Sequence, residues 1–293
     1  MTIKEFYKTH NNEISDRIHQ ALKEDSADND ITSKLITKNL FPGRKITARL
    51  LCREHCTLAG VSIFKKVLFE VDKKISFGEF YKDGNTAAPN TVILKVSGNP
   101  YNILRAERTA LNFIQRMSGV ATLTASFVKR LKHKHAKILH TRKSTPNFRL
   151  FEFAAVKIAG GDFHRFDLAS GILIKDNHIK AAGSVEVALK LLHKQQTAAI
   201  KRKQTEIEVK SMSELKQVIE FGKGIIKNVM LDNFGRANLP EAIRKLKKQG
   251  FKIELSGGIN LNNFRKLQHP GIDFYSIGML THSYRSVNFS LDF

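Results

Sequence analysis

From about residue 136 the chain keeps a regular beat of short apolar runs and longer amphipathic ones. Six runs with strand character recur: "AKIL", "GILI", "TEIEV", "KNVML", "FKIEL" and "DFYSI". Stretches of helical period separate most of them, among them "SVEVALKLLHKQ", "SMSELKQVIEFG" and "LPEAIRKLKKQG". Alternating strands and helices predict βαβ units and therefore a parallel sheet. Upstream the pattern is mixed. A helical start at 15–25 leads into strand-like stretches at 45–60 and 90–98, with helical spacing at 61–71. That mixture predicts an α+β domain over residues 1–115. The stretch 102–132 sets Leu104, Leu111, Ile114, Met117 and Val120 on one helical face. Gly119 inside it predicts a break or kink that makes two helices.

The residues just after each expected strand are unusually rich in chemistry. In order they are His140-Thr141-Arg142-Lys143, Lys175-Asp176-Asn177-His178, Glu208, Asp232-Asn233, Ser256-Gly257-Gly258 and Gly278. An α/β barrel collects its chemistry at the C-terminal ends of several strands and its phosphate site on the last two loops. An open doubly wound sheet concentrates its ligand at one switch point instead. A barrel-like (TIM-like) second domain over residues 116–279 fits better, incomplete because about six strands are visible.

Composition narrows the class. The 293 residues are 42% hydrophobic and 26% charged, ordinary for a globular enzyme with a real core. No apolar run approaches the ~20 residues that a bilayer span needs. The polar N-terminus lacks the apolar segment of a secretory signal. Cys52 and Cys56 cannot build a disulfide framework, and their spacing alone is a weak metal signal, so a reducing cytoplasm is expected. The net charge of +22 is the outlier. It suits an anionic substrate, a nucleic-acid surface or a basic background. The densest basic runs, 128–137 and 191–204, carry no interleaved aromatics, which a single-strand stacking platform would require.

Arg142, Lys143, His164, Arg165 and Lys175 converge in the pattern, with Arg108 supplied from the upstream helix. Burying so many like charges without an anion costs several kcal/mol each, about the scale of an uncompensated buried ion. Either they are dispersed in solvent or they serve a highly negative ligand. Glu208 and Asp232 each end an apolar strand, which fits a buried ion pair or an Mg²⁺ site shared with substrate phosphates. Glycines in "LSGGIN" and "SIGMLTHS" allow close backbone approach to a phosphate, although a lone S-G-G is more often a tight turn. Zinc-type histidine spacing, a P-loop, a dinucleotide fingerprint and a nucleophile elbow are all absent from the sequence.

The segments "AERTALNFIQRMSGVATLT", "TRKSTPNFRLFEFAAV", "GGDFHRFDLASGILIKDNHI", "EIEVKS", "VMLDN", "SGGI" and "SIGMLTHS" resemble the quinolinate phosphoribosyltransferase family. "ALKEDSADNDIT" near the start and the closing "SLDF" match as well, so the resemblance runs nearly end to end. It implies an N-terminal open-faced α/β sandwich, joined by residues 280–293, and a seven-stranded incomplete α/β barrel. It also implies a homodimer or larger assembly, with Arg108 reaching the neighbouring site. The implied reaction joins phosphoribosyl pyrophosphate to quinolinate with loss of carbon dioxide and requires Mg²⁺. By motif match, Arg108, Thr141, Arg142, His164, Arg165 and Lys175 grip quinolinate. Lys143, Glu208, Asp232, Ser256, Gly257, Gly258, Ile277 and Gly278 surround phosphoribosyl pyrophosphate, with Glu208 and Asp232 at the metal. Lys143, Lys175, Glu208 and Asp232 are the implied catalytic set.

The chain departs from the family pattern at His140, Asp162, Asn29 and Phe153, where aspartate, glycine, glycine and lysine are usual. Asp162 adds a carboxylate beside the expected anion pocket. Two other readings stay open from the residues: a sibling enzyme with another acceptor, and a basic nucleic-acid scaffold carrying a relic site.

Overall fold

The expected alternation becomes hydrogen-bonded ladders in a computed structural model, which describes residues 1–38, 45–195 and 197–293; Gln196, within the second basic run, lies outside the described residues. Five strands come first: β1 (Ile46–Cys52), β2 (Cys56–Thr57), β3 (Ser76–Glu79), β4 (Thr86–Ala87) and β5 (Thr91–Gly98). Six short ones follow: β6 (Lys137–Leu139), β7 (Ile172–Ile174), β8 (Thr205–Val209), β9 (Asn228–Asp232), β10 (Lys252–Ser256) and β11 (Phe274–Ser276). A last strand, β12 (Phe289–Asp292), lies near the C-terminus.

The chain divides into two compact units. The first takes residues 1–126, 144–161 and 280–293, and the second takes 127–143 and 162–279. In the first, β12, β1, β5 and β3 form an antiparallel sheet in that order. Ala48, Leu50 and Cys52 alternate inward along β1, while Ile93, Leu94 and Val96 bury β5. Segment 144–161, which the sequence division assigns to the later domain, groups here instead. Its helix Arg149–Ile158 is almost wholly buried, and Phe148 and Phe151 pack their rings 5.5 and 4.7 Å from that of Phe113.

Gly119 does not break its helix, which runs unbroken from Pro100 to Arg130. The glycine serves packing instead. A Cβ there would collide with the Arg285 carbonyl oxygen, and the returning chain is tied alongside where Val287 N–H donates to the Gln115 carbonyl at 3.1 Å. Cys52 and Cys56 are free and buried, their sulfurs 3.3 Å apart.

In the second unit β6, β11, β10, β9, β8 and β7 lie parallel in that order, so the strands consecutive in sequence, β6 and β7, form the two edges. Helices Val185–Lys194, Met212–Phe221 and Leu239–Lys248 follow the strands as their periodicity predicts. Ser184 and Ser211 cap the first two, accepting from Val187 N–H and Glu214 N–H. The third buries Leu239, Ala242, Ile243 and Leu246, the i, i+3, i+4, i+7 stripe of an amphipathic helix. Among the described residues no helix is long and apolar enough to cross a membrane.

Gly119→Ala should destabilise the protein by about 1–3 kcal/mol through overpacking, despite alanine's better helix propensity. Chemical denaturation would check this, and an unchanged or stabilised variant would refute the packing role.

Candidate active site

Cross-strand register sorts the parallel sheet into two faces. Ile138, Ile207, Val209, Val229, Leu231, Ile253, Leu255 and Tyr275 share one face, all buried. Glu206, Glu208, Asn228, Met230, Asp232, Glu254, Ser256 and Ser276 share the other. The first is an apolar face of the kind that helices cover. The second is polar yet largely buried, with Glu206 at 2%, Glu208 at 5% and Glu254 at 1% exposure. Buried carboxylates persist only with compensating partners, so the cations around this face decide what it can do.

His164 lies deepest. Its Nε2 is 3.2 Å from Glu206 Oε2 and 3.5 Å from Glu254 Oε2. Its backbone N–H donates to His140 Nε2 at 3.3 Å. Burial disfavours the imidazolium, but the Glu254 charge and the hydrogen bonding and charge of Glu206 outweigh it, pushing the His164 pKa up to about 10. Burial, then repulsion from Glu254, pushes Glu206 up to about 7. Burial also opposes the charge on Glu254, but His164 and its hydrogen bonds hold that carboxyl below its ordinary value. His164, Arg165, Glu206 and Phe166 help to line a cavity of about 230 Å³, together with Leu139 and Ile172 of the two edge strands.

Two arginines sit close together beside it. Burial and then the neighbouring Arg142 charge lower the Arg165 pKa, and Glu206 and Asp167 do not restore it. One Arg165 guanidinium nitrogen donates to the Gly171 carbonyl at 3.1 Å. Arg142 Nε–H is buried with no hydrogen-bond partner among the described residues. Thr141 Oγ1 accepts from Lys143 N–H at 3.1 Å and shapes that turn.

At the C-terminal rim Lys175, 46% exposed, donates to Glu208 Oε2 at 3.0 Å. Lys210 Nζ lies 2.8 Å from Asp176 and 3.8 Å from Glu208 Oε1. The hydrogen bond to Asp176, then the charges of Asp176, Glu208 and Asp232, raise the Lys210 pKa against slight burial. Glu208 and Asp232 are therefore diagonal neighbours on one face, with lysines between them and the solvent. Next to them, Gly257 has φ +93°, and a Cβ there would strike the Asn233 backbone nitrogen and side chain. Only glycine tolerates both demands. Asn233 N–H donates to the Ser256 carbonyl at 3.0 Å, and Asn263 Nδ2 donates to the Gly258 carbonyl at 2.8 Å, which fixes this loop.

Every residue singled out from the sequence except Arg108 belongs to this unit. Arg108 is an exposed residue of the long helix in the first unit. Ile277 is buried and its N–H is already spent on the Leu139 carbonyl at 3.1 Å, so it cannot offer that donor to a phosphate. The Asp162 carboxylate is paired with Lys137 Nζ at 2.6 Å, while its backbone bridges to Leu139, the last residue of β6. Sequence reading missed Glu206, Glu254 and Lys210, and it named Asp176 without giving it a role. The two glutamates were detectable, because "EIE" and "ELS" place Glu206 with Glu208, and Glu254 with Ser256, on one face of a strand.

Comparison with known proteins gives the family. The family model for the quinolinate phosphoribosyl transferase C-terminal domain matches residues 120–292, and that for the N-terminal domain matches 30–118. A probable nicotinate-nucleotide pyrophosphorylase (carboxylating) of Archaeoglobus fulgidus is 38% identical over 260 residues, 86% of this chain and 95% of its own. A protein of the same name from Bacillus subtilis is 35% identical over 264 residues, 89% of this chain and 88% of its own. The crystal structure of NadC from Streptococcus pyogenes superposes with a TM-score of 0.88 at 34% identity, covering 96% of this chain and 95% of that one.

His164 titrates near 10 in the folded protein, above its ordinary 6.5, so its contribution to stability is whole below pH 6.5 and is lost as pH rises toward 10. The ligand-free protein should melt at progressively lower temperature from about pH 7 to about pH 10, and His164→Gln should flatten that decline. Calorimetry across the range reads it; an equally steep decline in the variant would refute the assignment.

Proposed function

The chain belongs to the quinolinate phosphoribosyl transferase family, and on that premise we propose that the polar face of its parallel sheet is where the family's reaction runs. The enzyme converts quinolinate and phosphoribosyl pyrophosphate to nicotinate mononucleotide, pyrophosphate and carbon dioxide, a step of NAD biosynthesis. One observation carries the placement. Arg142 and Arg165 are held close enough to depress the Arg165 pKa, and the Arg142 Nε–H is buried and unpartnered. Such a pair asks for an anion with carboxylates at fixed spacing, which quinolinate supplies.

In this reading Arg142, Arg165, His164, Thr141 and Lys175 orient quinolinate, with Arg108 reaching in from a neighbouring subunit of a homodimer or larger assembly. Lys143 and the loops at Ser256, Gly257, Gly258 and Gly278 hold phosphoribosyl pyrophosphate. Ile277 serves by shaping the last loop. Glu208 and Asp232 offer hard oxygen donors on adjacent strands, a set that suits Mg²⁺ completed by pyrophosphate oxygens. They would hold it directly or through water, and when bound it neutralises charge on the departing pyrophosphate. The sheet carrying these residues curls into an incomplete barrel, in keeping with Leu139 and Ile172, one on each edge strand, lining the same cavity. A cytoplasmic setting accords with the free Cys52 and Cys56.

Chemistry follows from charge. The pyridine nitrogen attacks the anomeric carbon as the bond to pyrophosphate breaks and its electron pair leaves with that group. No general base is needed, because the nitrogen carries no proton. Positive charge develops on the ribosyl ring, and the Glu208 or Asp232 carboxylate stabilises it across a short distance. The nitrogen, now cationic, stabilises the electron pair left on the adjacent ring carbon as one carboxylate departs as carbon dioxide, and that carbon then takes up a proton. Lys175 holds Glu208 aligned meanwhile through their hydrogen bond. The clamp on both carboxylates holds the ring in the orientation that this sequence requires.

Purified protein given quinolinate, phosphoribosyl pyrophosphate and Mg²⁺ should release pyrophosphate and carbon dioxide together, and chelation should stop both. Release of neither, with both substrates bound, would refute the assignment. Arg142→Ala should weaken quinolinate binding by about 10- to 100-fold, the scale of a charge-assisted bond, while the dissociation constant for phosphoribosyl pyrophosphate stays within about twofold. Equal loss for both would contradict its role.

A further inference from the structure

His164 has a place in the reaction above, but the two acids beneath it do not. Glu206 and Glu254 come from β8 and β10, with β9 between them. At ~4.8 Å per strand their backbones stand about 10 Å apart. Even so, both carboxylates reach the same imidazole nitrogen, at 3.2 and 3.5 Å. Two buried acids aimed at one ring is an expensive arrangement that calls for a reason beyond packing.

We propose that Glu254, together with Glu206, is a positioning residue: Glu206 accepts from His164 Nε2–H, Glu254 adds its charge at 3.5 Å from the same nitrogen, and Nδ1–H is left as the donor to a carboxylate of the acceptor. This rests on the reading of His164 as an acceptor ligand. The backbone holds the same pose, because His164 N–H is fixed on His140 Nε2. The groups facing the ring are Glu206 on β8, Glu254 on β10, His140 after β6 and Arg165 on its own segment. With two acids below it the imidazole stays cationic across the physiological range, which makes its free N–H a charged donor.

A divalent ion is the competing use of these three side chains, whose ligand atoms lie within 4.8 Å of one another. It is the poorer fit. Metal ligation needs His164 neutral and would set a further positive charge beside Arg165, whose guanidinium is already disfavoured by burial and by Arg142. The clamp instead spreads the charge of one imidazolium over two acids. It also explains why the acids are glutamates. The long side chains span the distance from neighbouring strands to the centre of the face.

The test combines ligand binding with ¹⁵N-histidine NMR. In ligand-free wild-type protein at about pH 8, where an ordinary imidazole is neutral, His164 should show both nitrogens protonated; a neutral His164 would overturn the proposal. Glu254→Gln should return His164 to the neutral form at that pH and weaken quinolinate binding by about tenfold or more, with phosphoribosyl pyrophosphate affinity within about twofold. Glu254→Asp should recover part of the loss. A folded Glu254→Gln protein that kept its quinolinate affinity would also overturn it. Should that variant not fold, the wild-type spectrum still decides. Wild-type protein that turned over no quinolinate would refute the proposed function, a result separable from the NMR signature of the clamp.

Discussion

A parallel sheet whose inner face is acidic must be neutralised from above, and that constraint organises the second unit. Glu206, Glu208 and Glu254 are almost inaccessible to water on strands whose opposite face is mostly apolar. Carboxylates so placed are stable only with cations at hydrogen-bonding distance. His164 and Lys175 supply them, and both come from the segment between β6 and the helix after β7, the two sheet edges. The acids thus draw that segment across the face. The cavity lies where it crosses.

Once these acids are paired, Arg142 and Arg165 remain as a surplus of positive charge packed closely together. The surplus is local, and it is a better guide to function than the overall charge of +22. Quinolinate arrives with two carboxylates and keeps one, beside a ring nitrogen made cationic as pyrophosphate departs, a change of charge that fixed cations stabilise without reorganising. The Asp162 carboxylate is paired with Lys137.

Much of the fold was legible because periodicity survives in a single sequence. All six apolar runs after residue 136 became strands of one parallel sheet, and the intervening amphipathic stretches became helices. Elements whose meaning depends on a distant partner were not legible. β12 exists through pairing with β1, more than 200 residues away in sequence. Gly119 reads locally as a helix breaker, yet the helix continues, because its lack of a side chain answers to Arg285 rather than to its own turn. Segment 144–161 has a clear helical face, but only three-dimensional packing on Phe113 reveals which unit it joins.

The site divides in the same way. Residue types and their positions at strand ends were enough to expect Lys175, Glu208 and Asp232 near one another, because strand direction and the two-residue repeat are local properties. Tertiary structure alone decided that Glu206 and Glu254, two strands apart, meet on one nitrogen of His164. It alone decided that the Ile277 N–H is spent on Leu139. Such pairings depend on how the sheet bends and on what remains unsatisfied after burial, quantities that exist only when the whole chain is packed.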